Sequence, residues 1–93
     1  MDKLELWKKI QEELLSAQKL LPKNVVESDF GYRESDFRMF IDANELGLAI
    51  DELDGVMEDN PNPGREFWTH MIIAAKLMDL EKETAYEKYK PAS

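Results

Sequence analysis

The sequence predicts an all-α fold, namely a compact four-helix domain whose central helix is the apolar C-terminal one. Apolar residues recur at three- and four-residue spacing, which is the period of an amphipathic helix, and no stretch alternates as a β-strand would. Proline and asparagine residues interrupt this period where short helices would end. Because 93 residues suffice for one domain but not for two, residues 1–93 are expected to form a single helical domain.

The first helix is expected to run from about Asp2 to Leu20. Pro22 ends it, because a proline disfavours helical geometry in the residue before it. The stretch after this proline is the least regular part of the chain, with a helical turn expected at 25–26 and a loop at 30–32 that turns an aromatic ring inward. The apolar stripe of the helix comprises Leu6, Ile10, Leu14, Ala17 and Leu21.

The second and third helices are shorter. The second is expected to begin after Ser35, whose side chain can cap it, and to break at Asn44, a residue type that tolerates left-handed backbone. The third is expected from about Glu45 to Asp59, with its apolar face turned inward. Their apolar faces comprise Phe37, Phe40, Ile41, Leu46, Ala49, Ile50, Leu53 and Met57.

The fourth helix is expected from about Pro63 to at least Leu80. Asn62 would cap it, and a proline suits the first helical position because its missing N–H is not needed there. The helix is apolar nearly all round, which is typical of a helix buried on several sides. The tail from about residue 81 either extends this helix or frays.

Charge is distributed unevenly along the chain. The formal net charge is -8, from 20 acidic and 12 basic residues. Residues 27–60 contain 11 acids against Arg33 and Arg38, a sum of -9, whereas residues 1–26 sum to +1 and residues 61–93 sum to 0. Direct nucleic-acid binding is therefore not expected, because phosphate neutralisation is its main source of affinity. An acidic surface instead favours a basic protein partner and speeds the encounter with it.

The third helix and its flanks concentrate this charge. The predicted partner-binding residues are Asp42, Glu45, Asp51, Glu52, Asp54, Glu58 and Asp59. At about 100° per residue, Asp51, Asp54 and Glu58 gather along one flank of the apolar stripe, and we expect these carboxylates to face solvent together. Reversing these three charges should slow association most at low salt and leave the fold intact.

The aromatic residues divide into core and candidate anchor positions. Trp7 and Tyr32 are not clearly committed to the core, and an exposed aromatic beside an acidic face would suit an interface anchor. The spacing places the following rings in the core: Phe37, Phe40, Phe67 and Trp68.

No catalytic site, metal site or cofactor is expected. The chain has no cysteine, which excludes thiolate nucleophiles and Cys-ligated zinc. His70 lies one turn after Glu66, so a general base held by a carboxylate is one interpretation, but a partly buried histidine satisfied by a neighbour is the favoured one. The run from Asp51 to Glu58 lacks the alternating ligands of a calcium loop.

The sequence predicts a cytoplasmic protein without membrane association. The N-terminal residues have no apolar signal core, and no stretch approaches the roughly 18 apolar residues that a membrane span needs. A small domain without cysteine also fits a reducing compartment.

Several runs together indicate a family. They are Leu21 and Pro22, Val25 and Val26, the run NELGLAIDEL from Asn44 to Leu53, and the run AKLMDL from Ala75 to Leu80. Over roughly residues 20–80 the chain resembles the small all-helical immunity proteins of bacterial polymorphic toxin and contact-dependent growth inhibition systems, the MafI type. The resemblance implies a protein that binds and neutralises a cognate toxin domain, often a nuclease. The family has no invariant catalytic residues to carry over.

Two other functions stay open. The fourth helix is apolar on more faces than a domain of four short helices would cover, which favours a self-associating structural or regulatory module that forms a homodimer. A small enzyme built on Glu66 and His70 gains no support from the charge distribution. The leading prediction is therefore an immunity protein, monomeric or homodimeric, that binds a basic toxin domain through an acidic helical face.

Overall fold

The computed structural model describes residues 2–92 and confirms the all-α fold, since these residues form helices, turns and loops without a β-strand. This part of the chain contains five α-helices and one 3-10 helix, rather than the four helices predicted. The elements are α1 Lys3–Lys19, α2 Glu34–Asp42, α3 Leu46–Asp54, the 3-10 helix η1 Gly55–Glu58, α4 Arg65–Leu77 and α5 Glu83–Tyr89.

The first helix forms as predicted, to within one residue at each end. Asp2 is its N-cap, and a carboxylate oxygen of this residue accepts a hydrogen bond from the Glu5 N–H at 2.9 Å. That contact satisfies one of the N–H groups that a helix N-terminus leaves without a partner. α1 ends at Lys19, three residues before Pro22.

The helices α1 and α4 pack side by side and run antiparallel. Leu6 and Leu77 line the same groove, and two turns further along α1 the Glu13 side chain meets His70. The buried residues of the two helices are Ile10, Leu14, Ala17, Phe67, Trp68, Met71, Ile72, Ala74 and Ala75. Their removal from water supplies much of the driving force for the fold, at about 25 cal/mol per Å² of apolar surface.

The helix α2 begins two residues earlier than predicted. Arg33 occupies the N-cap position without a side-chain capping bond, so the predicted cap at Ser35 is wrong and that serine lies inside the helix. Asn44 separates α2 from α3 with a left-handed backbone of φ 57°, as its residue type predicts. Gln11 Nε2 on α1 donates a hydrogen bond to Asn44 Oδ1 at 3.2 Å, which connects this break to the first helix.

The third helix does not continue regularly to Asp59. It ends as an α-helix at Asp54 and tightens into η1. Gly55 lies at the change, where its backbone meets Gly31 so closely that an added Cβ would stand 3.0 Å from the Gly31 carbonyl carbon. The change of helix type therefore coincides with a tertiary contact that the helical period does not predict.

The start of α4 lies two residues after the predicted position at Pro63. Gly64, with φ 111°, precedes the first helical residue Arg65. Asn62 does not cap the helix at the predicted position; its Oδ1 accepts hydrogen bonds from the N–H of Gly64 and from Nε1–H of Trp68, both at 2.9 Å. The asparagine therefore fixes both the turn and the buried indole.

The tail neither extends α4 nor frays. The chain leaves α4 after Leu77, three residues before the predicted end, and Asp79 reverses it with a φ of 55°. α5 then packs back on α4, with the rings of Tyr86 and Tyr89 at 5.2 Å and 5.1 Å from the Trp68 ring. Aromatic packing of this kind adds stabilisation beyond the area that is buried.

The loop between α1 and α2 contains no helical turn at 25–26. The side chain of Asn60 instead holds the backbone of Val26. Asn60 Oδ1 accepts a hydrogen bond from the Val26 N–H at 2.7 Å, and Asn60 Nδ2 donates one to the Val26 carbonyl at 2.9 Å. Asn60 Nδ2 also donates to the carbonyl of Val56 at 3.0 Å. One amide side chain thereby joins this loop to η1.

Candidate interaction surface

An open groove lies between the loop at 29–31, the C-terminal half of α3 and η1. Phe40 and Leu48 contribute its apolar part. The acidic side chains that line it are those of Asp29, Asp51, Glu52, Asp54 and Glu58. We refer to this feature as the acidic groove.

Two glycines set the distance between the walls of the acidic groove. Gly31 in the loop and Gly55 at the start of η1 bring their backbones into contact, and neither has room for a Cβ. A side chain at either position would force the loop away from η1, because protein interiors are close-packed.

Carboxylates hold the loop in place. Ser28 Oγ donates a hydrogen bond to the Asp59 carboxylate at 2.5 Å and accepts one from the N–H of Gly31 at 2.9 Å. The N–H of Arg33 donates to Glu52 at 2.8 Å. Two of the seven predicted partner-binding residues, Glu52 and Asp59, therefore stabilise the backbone of their own chain.

Two further predicted residues are paired with Lys82, the N-cap of α5, and with Tyr86 inside that helix. Lys82 forms ion pairs with Asp51 and with Asp54, the latter at 3.4 Å, and the Tyr86 hydroxyl donates to Asp54 Oδ2 at 2.6 Å. The prediction that these carboxylates face solvent together is therefore wrong for Asp54, which is half-buried. Reversing its charge would break the contacts with Tyr86 and Lys82, so at Asp54 we now expect such a change to lower stability.

The pKa values of this group follow from burial and from the close contacts. Burial raises the pKa of Asp54, and this outweighs the lowering by the Tyr86 hydroxyl and by the positive charge of Lys82. Burial and the adjacent carboxylate raise the pKa of the Tyr86 hydroxyl. Burial lowers the pKa of Lys82, but the two aspartates outweigh it and leave that pKa raised.

The structure brings four of the seven predicted residues into the acidic groove. They are Asp51, Glu52, Asp54 and Glu58. Asp42 and Glu45 lie beyond the other end of α3, a helix about 13 Å long at 1.5 Å per residue. Asp59 turns toward Ser28 instead. The predicted set is therefore spread over the segment rather than gathered in one site.

Three of the predicted carboxylates are exposed and have no side-chain or backbone hydrogen-bond partner and no ion pair within residues 2–92. They are Asp42, Glu45 and Glu58. Arg33, one of the two bases in the acidic segment, is already paired with Asp29 at 2.9 Å and with Asp36 at 3.9 Å. The excess negative charge of the segment is therefore only partly compensated.

The loop at 28–32 turns one aromatic ring inward, as predicted, and a second outward, which the sequence reasoning missed. Tyr32 is 1% exposed, whereas Phe30 is 95% exposed. The signal was present in the sequence, since Ser28 and Gly31 suit the first and last positions of a β-turn and place the phenylalanine at its tip. The N–H of Gly31 donates to the carbonyl of Ser28 at 3.4 Å, as in such a turn.

His70 is paired across the helix interface. Its Nδ1 lies 2.7 Å from Oε2 of Glu13 on α1, so the neighbour of this partly buried histidine belongs to another helix and is not Glu66. Lys9 lies 3.5 Å from the same carboxylate. Among residues 2–92, no three His, Asp or Glu side chains are arranged to hold a metal ion. None of the helices in this range has the length and apolar character needed to cross a membrane.

A separate apolar surface lies where the start of α1 meets the end of α4. Trp7 is 39% exposed and shares an open groove with Leu77 and Met78. Leu4, one turn earlier on α1, is 74% exposed. This surface contains none of the predicted partner-binding residues.

Comparisons of the chain with protein families, with characterised proteins and with solved structures find no match. The resemblance to immunity proteins therefore stays a prediction that depends on the runs between Leu21 and Leu80.

Proposed function

We propose that this protein is an immunity protein, a non-catalytic binding module that neutralises a basic toxin domain, with a nuclease as the favoured class of toxin. The observation that carries the proposal is the charge of residues 27–60, of which Asp42, Glu45 and Glu58 remain exposed and without partners within residues 2–92. Nucleases bind phosphates through positively charged clefts, and an acidic surface complements such a cleft.

Electrostatics supports the proposal mainly through the rate of association. A surface of one sign raises the on-rate for an oppositely charged partner by roughly 10- to 1000-fold, and the effect falls with ionic strength. The ion pairs of Lys82 and Arg33 weaken this field locally. The net charge of -9 for residues 27–60 already includes Arg33, and Lys82 adds one positive charge from outside the segment. Rapid capture suits an inhibitor that must bind its toxin before the toxin acts.

On this proposal the protein acts stoichiometrically in the cytoplasm, without cofactor or metal. A chain without cysteine fits such a reducing compartment. The affinity would come from a few desolvated anchor residues, because exposed charge pairs contribute only about 0–1 kcal/mol each.

The test is binding to the product of the neighbouring gene, measured as association rate at two salt concentrations. The site variant carries Asp42→Lys, Glu45→Lys and Glu58→Lys. We expect its association to be at least ten-fold slower at low ionic strength, with the difference shrinking at high salt.

A matched variant carries Glu12→Lys, Glu81→Lys and Glu87→Lys. These three residues are also exposed, and the variant changes the net charge by the same amount outside the acidic segment. If both variants associate equally slowly, total charge rather than the acidic segment governs binding. If the neighbouring gene does not encode a toxin domain, or the two proteins do not bind, the immunity function is wrong.

The exposed apolar surface around Trp7 favours a second candidate, a self-associating structural or regulatory module. Trp7 and Leu4 are the kind of uncovered residues from which two-fold interfaces are built. Sedimentation velocity at high micromolar concentration separates the candidates. A dimer that the change Trp7→Ser converts to monomer supports self-association, and a strict monomer contradicts it.

A further inference from the structure

Phe30 is the most exposed large apolar side chain of residues 2–92, at 95%. Its loop is nevertheless held firmly. The Ser28 hydroxyl accepts a hydrogen bond from the N–H of Gly31 and donates one to the Asp59 carboxylate. The N–H of Arg33 donates a hydrogen bond to the Glu52 carboxylate on α3. The ring is therefore presented to solvent from a loop in which the N–H groups of Gly31 and Arg33, on the C-terminal side of the ring, are hydrogen-bonded.

An aromatic ring on a fixed loop has the properties of an interface anchor. Burying it removes a large apolar area from water, and little backbone freedom is lost because the loop is already ordered. Anchors of this kind dominate binding energies at protein interfaces, where a ring enters a pocket of the partner.

The surroundings of the ring specify the chemistry of the partner. The acidic groove beside Phe30 combines the apolar side chains of Phe40 and Leu48 with carboxylates that include Glu58 and Asp51. An apolar partner surface alone would desolvate Glu58, which has no partner within residues 2–92, without compensation, and this is unfavourable. A surface with an apolar pocket and adjacent Lys or Arg side chains would bury the ring and pair the carboxylates.

We infer that Phe30 and the acidic groove together dock a protein partner that offers an apolar pocket flanked by lysine or arginine, with the ring in the pocket and a basic side chain in the groove. The inference rests on the proposed function and names the anchor and the partner chemistry of that interaction. Cation–π attraction between the basic side chain and the ring adds to the pairing.

The first experiment measures the affinity of the full chain for the neighbouring gene product. Phe30→Ala should weaken binding roughly 30-fold, the effect of losing a strong anchor. The matched control is Leu4→Ala, which shortens an exposed apolar side chain on α1, outside the acidic groove. Because Phe30 is almost fully exposed, its replacement should leave the unfolding transition unchanged.

The outcomes separate the inference from the function. If the gene product binds the Phe30→Ala protein as tightly as it binds the unchanged protein, the anchor is wrong and the immunity function stands. If Phe30→Ala changes sedimentation of the protein alone rather than partner affinity, a second copy occupies the surface and the inference is wrong.

A second experiment tests the groove even if the gene product does not bind at all. A short peptide that carries arginine and leucine residues is titrated into the protein, and the Phe30 and Leu48 resonances are followed by NMR. We expect saturable shifts of both residues and at least five-fold weaker binding by a peptide in which serine replaces leucine. Equal binding by the two peptides, or shifts that spare both residues, would overturn the inference.

Discussion

Deleting one buried hydroxyl tests whether α5 is held by the Asp54 contact. The change Tyr86→Phe keeps the ring that packs on Trp68 and removes the hydrogen bond to Asp54 Oδ2, which is 2.6 Å long. Tyr86 is 2% exposed, so water does not readily replace the lost donor. The variant therefore isolates one polar contact between α5 and α3.

The magnitude follows from the charge of the acceptor. Hydrogen bonds to charged groups contribute about 1.5–3 kcal/mol. Lys82 Nζ remains 3.4 Å from the same carboxylate oxygen and limits the loss. We expect Tyr86→Phe to lower the free energy of unfolding by about 1.5 kcal/mol, which lowers the Tm of a domain this size by roughly 6–12 °C.

Urea denaturation at pH 7, followed by circular dichroism, measures this loss. The control is Tyr89→Phe, which removes a hydroxyl from the neighbouring turn of α5, where the side chain is half-exposed. The control should change the free energy of unfolding by less than about 0.5 kcal/mol. Equal losses in the two variants, or no loss in either, would refute the conclusion that the hydrogen bond from Tyr86 to Asp54 stabilises the packing of α5 on α3.

The pH dependence gives an independent check of the same contact. The fold raises the pKa of Asp54 above the ordinary value of 3.8, chiefly by burial. As the pH falls through that raised value, the carboxylate becomes protonated and the charged hydrogen bond is lost in the unchanged protein as well. The difference in stability between Tyr86→Phe and the unchanged protein should therefore shrink on acidification.

Two further predictions concern stability. The fold raises the pKa of Tyr86 above its ordinary value of 10.0 and that of Lys82 above its ordinary value of 10.5. The stability that these two groups contribute is therefore present below the ordinary values and is lost as the pH rises from them toward the raised ones. Urea denaturation from pH 9 to 11 should show a decline in the free energy of unfolding, and this decline should be shallower in Tyr86→Phe. At the close contact of the loop with η1, Gly55→Ala should lower the free energy of unfolding by about 1–3 kcal/mol. Gly47→Ala in α3, where no heavy atom lies within 4 Å of the added Cβ, should raise it by about 0.5–1 kcal/mol, and a loss there of similar size would contradict the packing argument.

The helices were largely predictable because their signals are local. Apolar spacing placed α1 within one residue at each end, and residue type placed the left-handed break at Asn44. The errors occur where a distant segment decides the local structure. The close approach of Gly31 to Gly55 accompanies the change from α3 to η1, and the turn fixed by Asn62 delays the start of α4.

The sequence predicted the net charge of the candidate site, but it did not predict which carboxylates remain exposed and unpaired. The sequence alone determined that residues 27–60 carry the excess negative charge, because charge is a sum over residues and needs no coordinates. The tertiary structure decided which carboxylates remain available. It pairs Asp51 and Asp54 with Lys82, a residue some thirty positions away that no local pattern connects to α3, and leaves Glu58 without a partner within residues 2–92.

The aromatic residues follow the same division. The spacing of apolar residues correctly predicted that Trp68 is buried, because the helical period shows which face of a helix is apolar. The sequence also predicted that one aromatic ring of the loop turns inward. It did not state that Tyr32 is the inward ring and Phe30 the outward one. That choice depends on a turn held by Ser28 and by the distant Asp59, so only the folded arrangement places the exposed ring beside the acidic groove.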